Sequence, residues 1–153
     1  MNYMNMLDCS IADGPGFRVV LFVTGCSHHC KGCHNKKCWN EKSGKLFDEK
    51  AKEKLFSLLS RNYIDGITLS GGDPLYIDNR DEITKLCKEI REKFPNKTIW
   101  LYTGYKVETI KDWEIIKYID VVVDGKFEID KRDVTLPFRG SSNQRIINIK
   151  DVN

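Results

Sequence analysis

Apolar residues in this chain gather in short blocks with two different spacings. Phe17 to Val23 is almost continuously apolar, interrupted only by Arg18, the profile of a strand buried on both faces. From Asp48, which can cap a helix, Ala51, Leu55, Leu58 and Leu59 recur on one side as far as Ser60. Gly66 to Ser70 predicts a second short strand, ended by Gly71-Gly72-Asp73-Pro74. Asp78 or Asn79 can cap the next helix, which puts Ile83, Leu86, Cys87 and Ile90 on one face before Pro95 stops it. Thr98 to Tyr102 predicts a third strand; after Thr103-Gly104 comes a helix of about a dozen residues ending near Tyr118. Asp120 to Asp124, closed by Gly125, and Arg145 to Ile149 read as the fourth and fifth strands. The N-terminal stretch runs into a turn at Asp13-Gly14-Pro15-Gly16.

Strand and helix in regular alternation imply βαβ units. The expected fold is α/β, a partial, open (βα) barrel with a mainly parallel sheet of about five or six strands, too few to close an eight-stranded barrel. Residues 1–153 are expected to form one domain. The loop from Thr24 to about Gly44, the Gly71-Gly72 turn, Thr103-Gly104 and Asp124-Gly125 all follow strands. In parallel α/β folds that carboxyl edge is where ligands bind.

Composition narrows the classes. Charged residues make up 31% of the chain, and 25 basic against 22 acidic side chains leave a net charge of +3. With the two signs interleaved, this does not predict nucleic-acid binding. No apolar run approaches the roughly 18 residues of a membrane span. The opening residues show neither the basic nor the apolar region of a signal peptide, so a cytoplasmic protein is expected. In such a reducing compartment six cysteines call for a reason other than disulfides.

Cys26, Cys30, Cys33 and Cys38 are clustered, and the first three have the spacing C-x3-C-x2-C. Three thiolates on a short loop can wrap one metal centre. A structural zinc wants four ligands, as does an ordinary ferredoxin cluster; a cubane held by three leaves one iron open. Zinc completed by His28, His29, His34 or Cys38, or an electron-transfer cluster with Cys38 as fourth ligand, also fits the spacing. Gly32, between the last two cysteines, lets the backbone come close to cluster and ligand. Elsewhere, Cys87 reads as core packing, Cys38 as a free loop thiol, His28 and His29 as solvated loop residues, and Cys9 has no role.

C-x3-C-x2-C after a first strand, with Ser70-Gly71-Gly72-Asp73-Pro74 after the second, resembles the radical S-adenosylmethionine superfamily. Asp13-Gly14-Pro15-Gly16-Phe17-Arg18 is similar to the opening of its glycyl-radical activases. Leu101 to Tyr105, Val123 to Phe127 and Phe138 to Arg145 narrow the resemblance to the activating proteins of anaerobic (class III) ribonucleotide reductase. The similarity runs in order from about Asp13 to Arg145. Two positions depart from the superfamily's common pattern: Gly32 stands where an aromatic residue often lies near the adenine, and Asp73 where many relatives have Glu.

The resemblance implies a [4Fe–4S] cluster on Cys26, Cys30 and Cys33 and S-adenosylmethionine at the open iron. Reductive cleavage of the sulfonium then gives methionine and a 5′-deoxyadenosyl radical, which takes a hydrogen atom from a glycine of the reductase large subunit. It implies cofactor contacts at Gly32, Cys33, His34, Gly71, Gly72, Asp73, Thr103 and Asp124, with the Gly-Gly turn offering amides or carbonyls. An electron donor such as a flavodoxin is implied, and two chains can pair on a dimeric reductase. The alternatives are another radical S-adenosylmethionine enzyme, acting on a small molecule or a different glycyl-radical partner, and a zinc-stabilised binding module.

Overall fold

A computed structural model of the chain describes residues 1–152. Seven strands form one sheet: β1 (Asn2–Ser10), β2 (Arg18–Val23), β3 (Lys45–Leu46), β4 (Gly66–Gly71), β5 (Thr98–Tyr102), β6 (Val121–Asp124) and β7 (Arg145–Asn148). Their order across the sheet is β3-β1-β2-β4-β5-β6-β7. The central strands β2, β4, β5 and β6 run parallel. β1 lies antiparallel between β2 and β3, and β7 is antiparallel to β6. The sheet is therefore mixed, wider than the five or six strands expected, and not mainly parallel. The reason lies in the connections. A parallel neighbour needs a crossover, and only a turn separates Ser10 from Arg18, so β1 folds back on β2. β3 and β7 end the row as unjoined edges.

The two long helices follow the periodicity of the sequence. α1 (Glu49–Leu59) is capped by Asp48, whose carboxylate accepts from the Ala51 amide at 2.9 Å. α2 (Arg80–Lys93) begins after Asn79, whose side chain makes no capping bond and instead donates to the Thr24 carbonyl at 2.6 Å. The expected dozen-residue helix after β5 is broken into α3 (Val107–Ile110) and a 3-10 turn over Glu114–Tyr118. Buried Val107 and Ile110 are followed by Ile115, Ile116 and Ile119, a five-residue step that one continuous helix would rotate off the core.

Alternate residues of the central strands go to opposite faces. Val19, Leu21, Val23, Ile67, Leu69, Ile99, Leu101 and Val122 pack with Leu55, Leu59, Ile83, Leu86 and Ile90 of the helices. The other face carries Phe22, Ser70, Tyr102 and Val123 and is covered by loops around a cavity. At its amino end Arg18, 1% exposed, donates to Thr68 Oγ1 (2.9 Å), Thr98 Oγ1 (2.8 Å), the Ile67 carbonyl (2.8 Å) and the Thr98 carbonyl (3.0 Å). Burial lowers its pKa to about 10, so it stays charged at neutral pH. The one charge in an apolar run thus ties the starts of three strands together.

Candidate active site

The cysteine loop leaves β2 and returns to its own base. The Gly25 amide donates to the Cys38 carbonyl at 2.7 Å and the Cys26 amide to the Trp39 carbonyl at 3.1 Å. Inside this clasp, His29 adopts a φ of 48° and stacks on Trp39 at 4.5 Å. Cys26 is buried; Cys30 and Cys33 are half-buried. All three line a cavity of about 590 Å³, together with Gly71, Gly72, Thr103 and His34.

Burial raises the thiol pKa of Cys26, opposed by hydrogen bonding from the His28 and His29 backbone amides. Cys30 is raised for the same reason, partly offset by the Phe127 backbone and the Lys126 charge. A bound metal displaces those protons. Among the described residues no group of three His, Cys, Asp or Glu side chains is arranged to hold a single ion. Three thiols lining one cavity are the donor set of a cubane held at three corners.

The Gly-Gly turn lies directly on the base of the cysteine loop. Gly71 has a φ of +110°, and a Cβ there would sit 2.3 Å from the Val23 carbonyl oxygen. On Gly72 it would meet the carbonyl oxygens of Gly25 and Cys38 at 2.4 and 2.7 Å. The Gly72 amide donates to Val23 at 2.9 Å and that of Asp73 to Gly25 at 2.7 Å. These two amides hold the chain and are not free for a ligand, which corrects part of the expectation for this turn.

Asp73 is 1% exposed and gathers its neighbours. Its Oδ1 accepts from the Leu75 amide at 2.9 Å, and its Oδ2 from Thr103 Oγ1 and the Gly104 amide, both at 2.9 Å. The same Oδ2 lies 2.7 Å from His28 Nε2. His28 is therefore not a solvated loop residue: its side chain is 8% exposed. Thr103 faces the cavity while its hydroxyl holds Asp73.

Other expected residues lie differently. Gly32 does not line the cavity; a Cβ there would sit 2.4 Å from Ile129 Cδ1, so its small size serves packing against Ile129. His34 lines it, 5.5 Å from the Phe127 ring. Asp124 opens instead onto a second cavity of about 750 Å³, with Lys106, Lys126 and Asn143. Its carboxylate accepts from the Val107 amide at 2.8 Å and pairs with Arg145 at 2.5 Å, and Arg145 in turn reaches Glu108 at 2.8 Å. Cys38 is buried at the loop base, Cys87 in the core, and Cys9 is exposed.

Sequence reasoning missed the cover of the cavity. Tyr102, Phe127, Phe138, Arg139 and Gln144 line it. Tyr102 donates its hydroxyl to the carbonyl of Phe138, a residue held at a φ of 62°. Gln144 Oε1 accepts from the Gly140 and Ser141 amides at 2.9 and 3.1 Å, and its Nε2 donates to the Gly125 carbonyl at 3.0 Å. The signal was the Phe138 to Arg145 run, which resembles the activators but had no role attached. Its Gln fastens the cover.

Fold and site together define a small α/β protein with one cysteine-lined cavity at the carboxyl ends of its parallel strands, and the family description of a 4Fe-4S single cluster domain matches residues 12–147. The chain is 51% identical over 146 residues to the anaerobic ribonucleoside-triphosphate reductase-activating protein of Enterobacteria phage T4, covering 95% of this chain and 93% of that one. It is 42% identical over 152 residues to the protein of the same name from Pasteurella multocida (95% and 96% covered). The one from Escherichia coli K12 is 42% identical over 154 residues (98% and 100% covered). The chain belongs to the family of anaerobic ribonucleoside-triphosphate reductase-activating proteins.

Proposed function

We propose that this chain is a radical S-adenosylmethionine activase that installs a glycyl radical on the large subunit of an anaerobic ribonucleotide reductase. The observation that supports it most is that Cys26, Cys30 and Cys33 share one cavity with Gly71, Gly72 and Thr103. When bound, the [4Fe–4S] cluster and S-adenosylmethionine supply one-electron cleavage of the sulfonium and removal of a glycine hydrogen atom.

The chain's residues do the rest. Three thiolates hold the cluster and leave one corner without a protein ligand. Gly71 and Gly72 keep side chains out of the space beside it. Thr103 and His34 offer polar groups to the cofactor, and the aromatic wall of Tyr102, Phe127 and Phe138 excludes water. Asp73 shapes the cavity by holding Thr103 and the Gly104 amide; Asp124, which faces the second cavity, acts through the adjoining Gly125, which lines the first. The reductase is the partner, its glycine-bearing loop entering at the carboxyl rim. A low-potential carrier such as a flavodoxin supplies the electron, and pairing of two chains on a dimeric reductase follows from the same reading.

The test is anaerobic reconstitution with iron and sulfide, then reduction with S-adenosylmethionine and the reductase. Formation of 5′-deoxyadenosine and a glycyl doublet in electron paramagnetic resonance are expected. Cys30→Ala should bring iron content, cleavage and radical signal down to background. Full activity in that variant defeats the proposal.

A further inference from the structure

We propose that His28 is a positioning residue, which ties the middle of the cysteine loop through Asp73 to the turns that follow β4 and β5. The inference rests on the function proposed above and adds to it a residue of the cavity wall that is not one of the cluster's three ligands. His28 stands midway between Cys26 and Cys30. Its Nε2 lies 2.7 Å from Asp73 Oδ2, with side chains 8% and 2% exposed. That carboxylate also holds Thr103 Oγ1, the Gly104 amide and the Leu75 amide, each at 2.9 Å. One buried group thus joins the cysteine loop, the turn after β4 and the turn after β5.

The backbone bonds at Gly25 and Cys26 fix the ends of the loop. His28 holds its interior, where the ligands are. The ring is itself fixed in place. A Cβ on Gly104 would lie 2.5 Å from His28 Cδ2, so the turn after β5 presents bare backbone to the imidazole. Tyr105 meets it edge-on at 4.8 Å and rests on Trp113 at 5.6 Å. Because His28 stands between Cys26 and Cys30, a shift of the ring moves the segment that carries both thiols. Losing the imidazole leaves a buried carboxylate with one donor fewer and the loop interior without its tie.

The experiment compares wild type, His28→Ala and His28→Gln; Gln keeps an N–H at a similar reach. In the cluster-free proteins, amide hydrogen exchange is measured by mass spectrometry. His28→Ala should exchange about 10-fold faster or more across the cysteine loop with α1 and α2 unchanged, and Gln should restore most of the protection. After reconstitution all three should hold equal iron, because the three cysteines remain. His28→Ala should then require about 10-fold more S-adenosylmethionine to change the resonance spectrum of the reduced cluster.

Unchanged exchange in His28→Ala overturns the tie. So does loss of iron from the Ala and Gln variants alike, which is the behaviour of a ligand. A wild-type cluster whose spectrum does not respond to S-adenosylmethionine defeats the proposed function instead; the exchange measurement still decides the tie.

Discussion

At Gly72 the chain allows one hydrogen atom where any other residue has a carbon. The obstructing atoms are main-chain oxygens of Gly25 and Cys38, 2.4 and 2.7 Å from the place a Cβ would take. Neither can retreat freely, since the Gly25 amide bonds the Cys38 carbonyl and the Asp73 amide bonds the Gly25 carbonyl. Gly72→Ala should cost roughly 1–3 kcal/mol, read as a lowered unfolding midpoint of the cluster-free protein. An unchanged midpoint would contradict the packing. The spacing of the three cysteines was legible at once because it is local. The reason for Gly72 was not, since its obstacles come from far along the chain; the sequence suggested room for a ligand, and the structure adds contact between two loops. His28 was misjudged for the same cause. Its partner stands 45 residues away, and no local pattern marks a histidine that will meet a carboxylate.

Among the elements, those with a single strong period were readable. α1 shows how far this goes: an apolar stripe, a stop, and a capping carboxylate bonded to the Ala51 amide. Asp48→Ala removes that bond and should destabilise the protein by about 1 kcal/mol in chemical denaturation, with the reconstituted cluster unaffected. A loss of cluster in this variant would mean that α1 governs the site, which its position does not suggest. β1 escaped notice because Met6 is its only buried residue and its partners are chosen by the turn at Asp13 to Gly16 and by the returning loop. β3, two exposed residues long, has no pattern to detect. The segment after β5 was over-read as one helix because its apolar content is high; the phase of that content slips between Ile110 and Ile115.

Taken whole, the molecule has unequal faces. Helices and the main apolar cluster occupy one side of the sheet. On the other, loops roof a cavity whose walls include four strand ends and the Phe138 to Gln144 cover. A mainly parallel order was expected, and it is found in the middle of the sheet, where crossovers join the strands. The antiparallel flanks extend the sheet without adding helices. Among the described residues no helix is long and apolar enough to cross a membrane.

The clasp at the base of the cysteine loop bears on the order of events in the protein's life. None of Cys26, Cys30 and Cys33 belongs to the main apolar cluster, and the loop's ends are fastened by backbone bonds that need no iron. In a zinc finger, by contrast, the metal supplies the folding energy itself. Here the chain can finish folding while still bare and receive its iron and sulfide afterwards, into a frame already standing. Protein stripped by a chelator should therefore keep its far-ultraviolet circular dichroism and a cooperative melt; a collapse of both would mean that assembly of the inorganic part comes first.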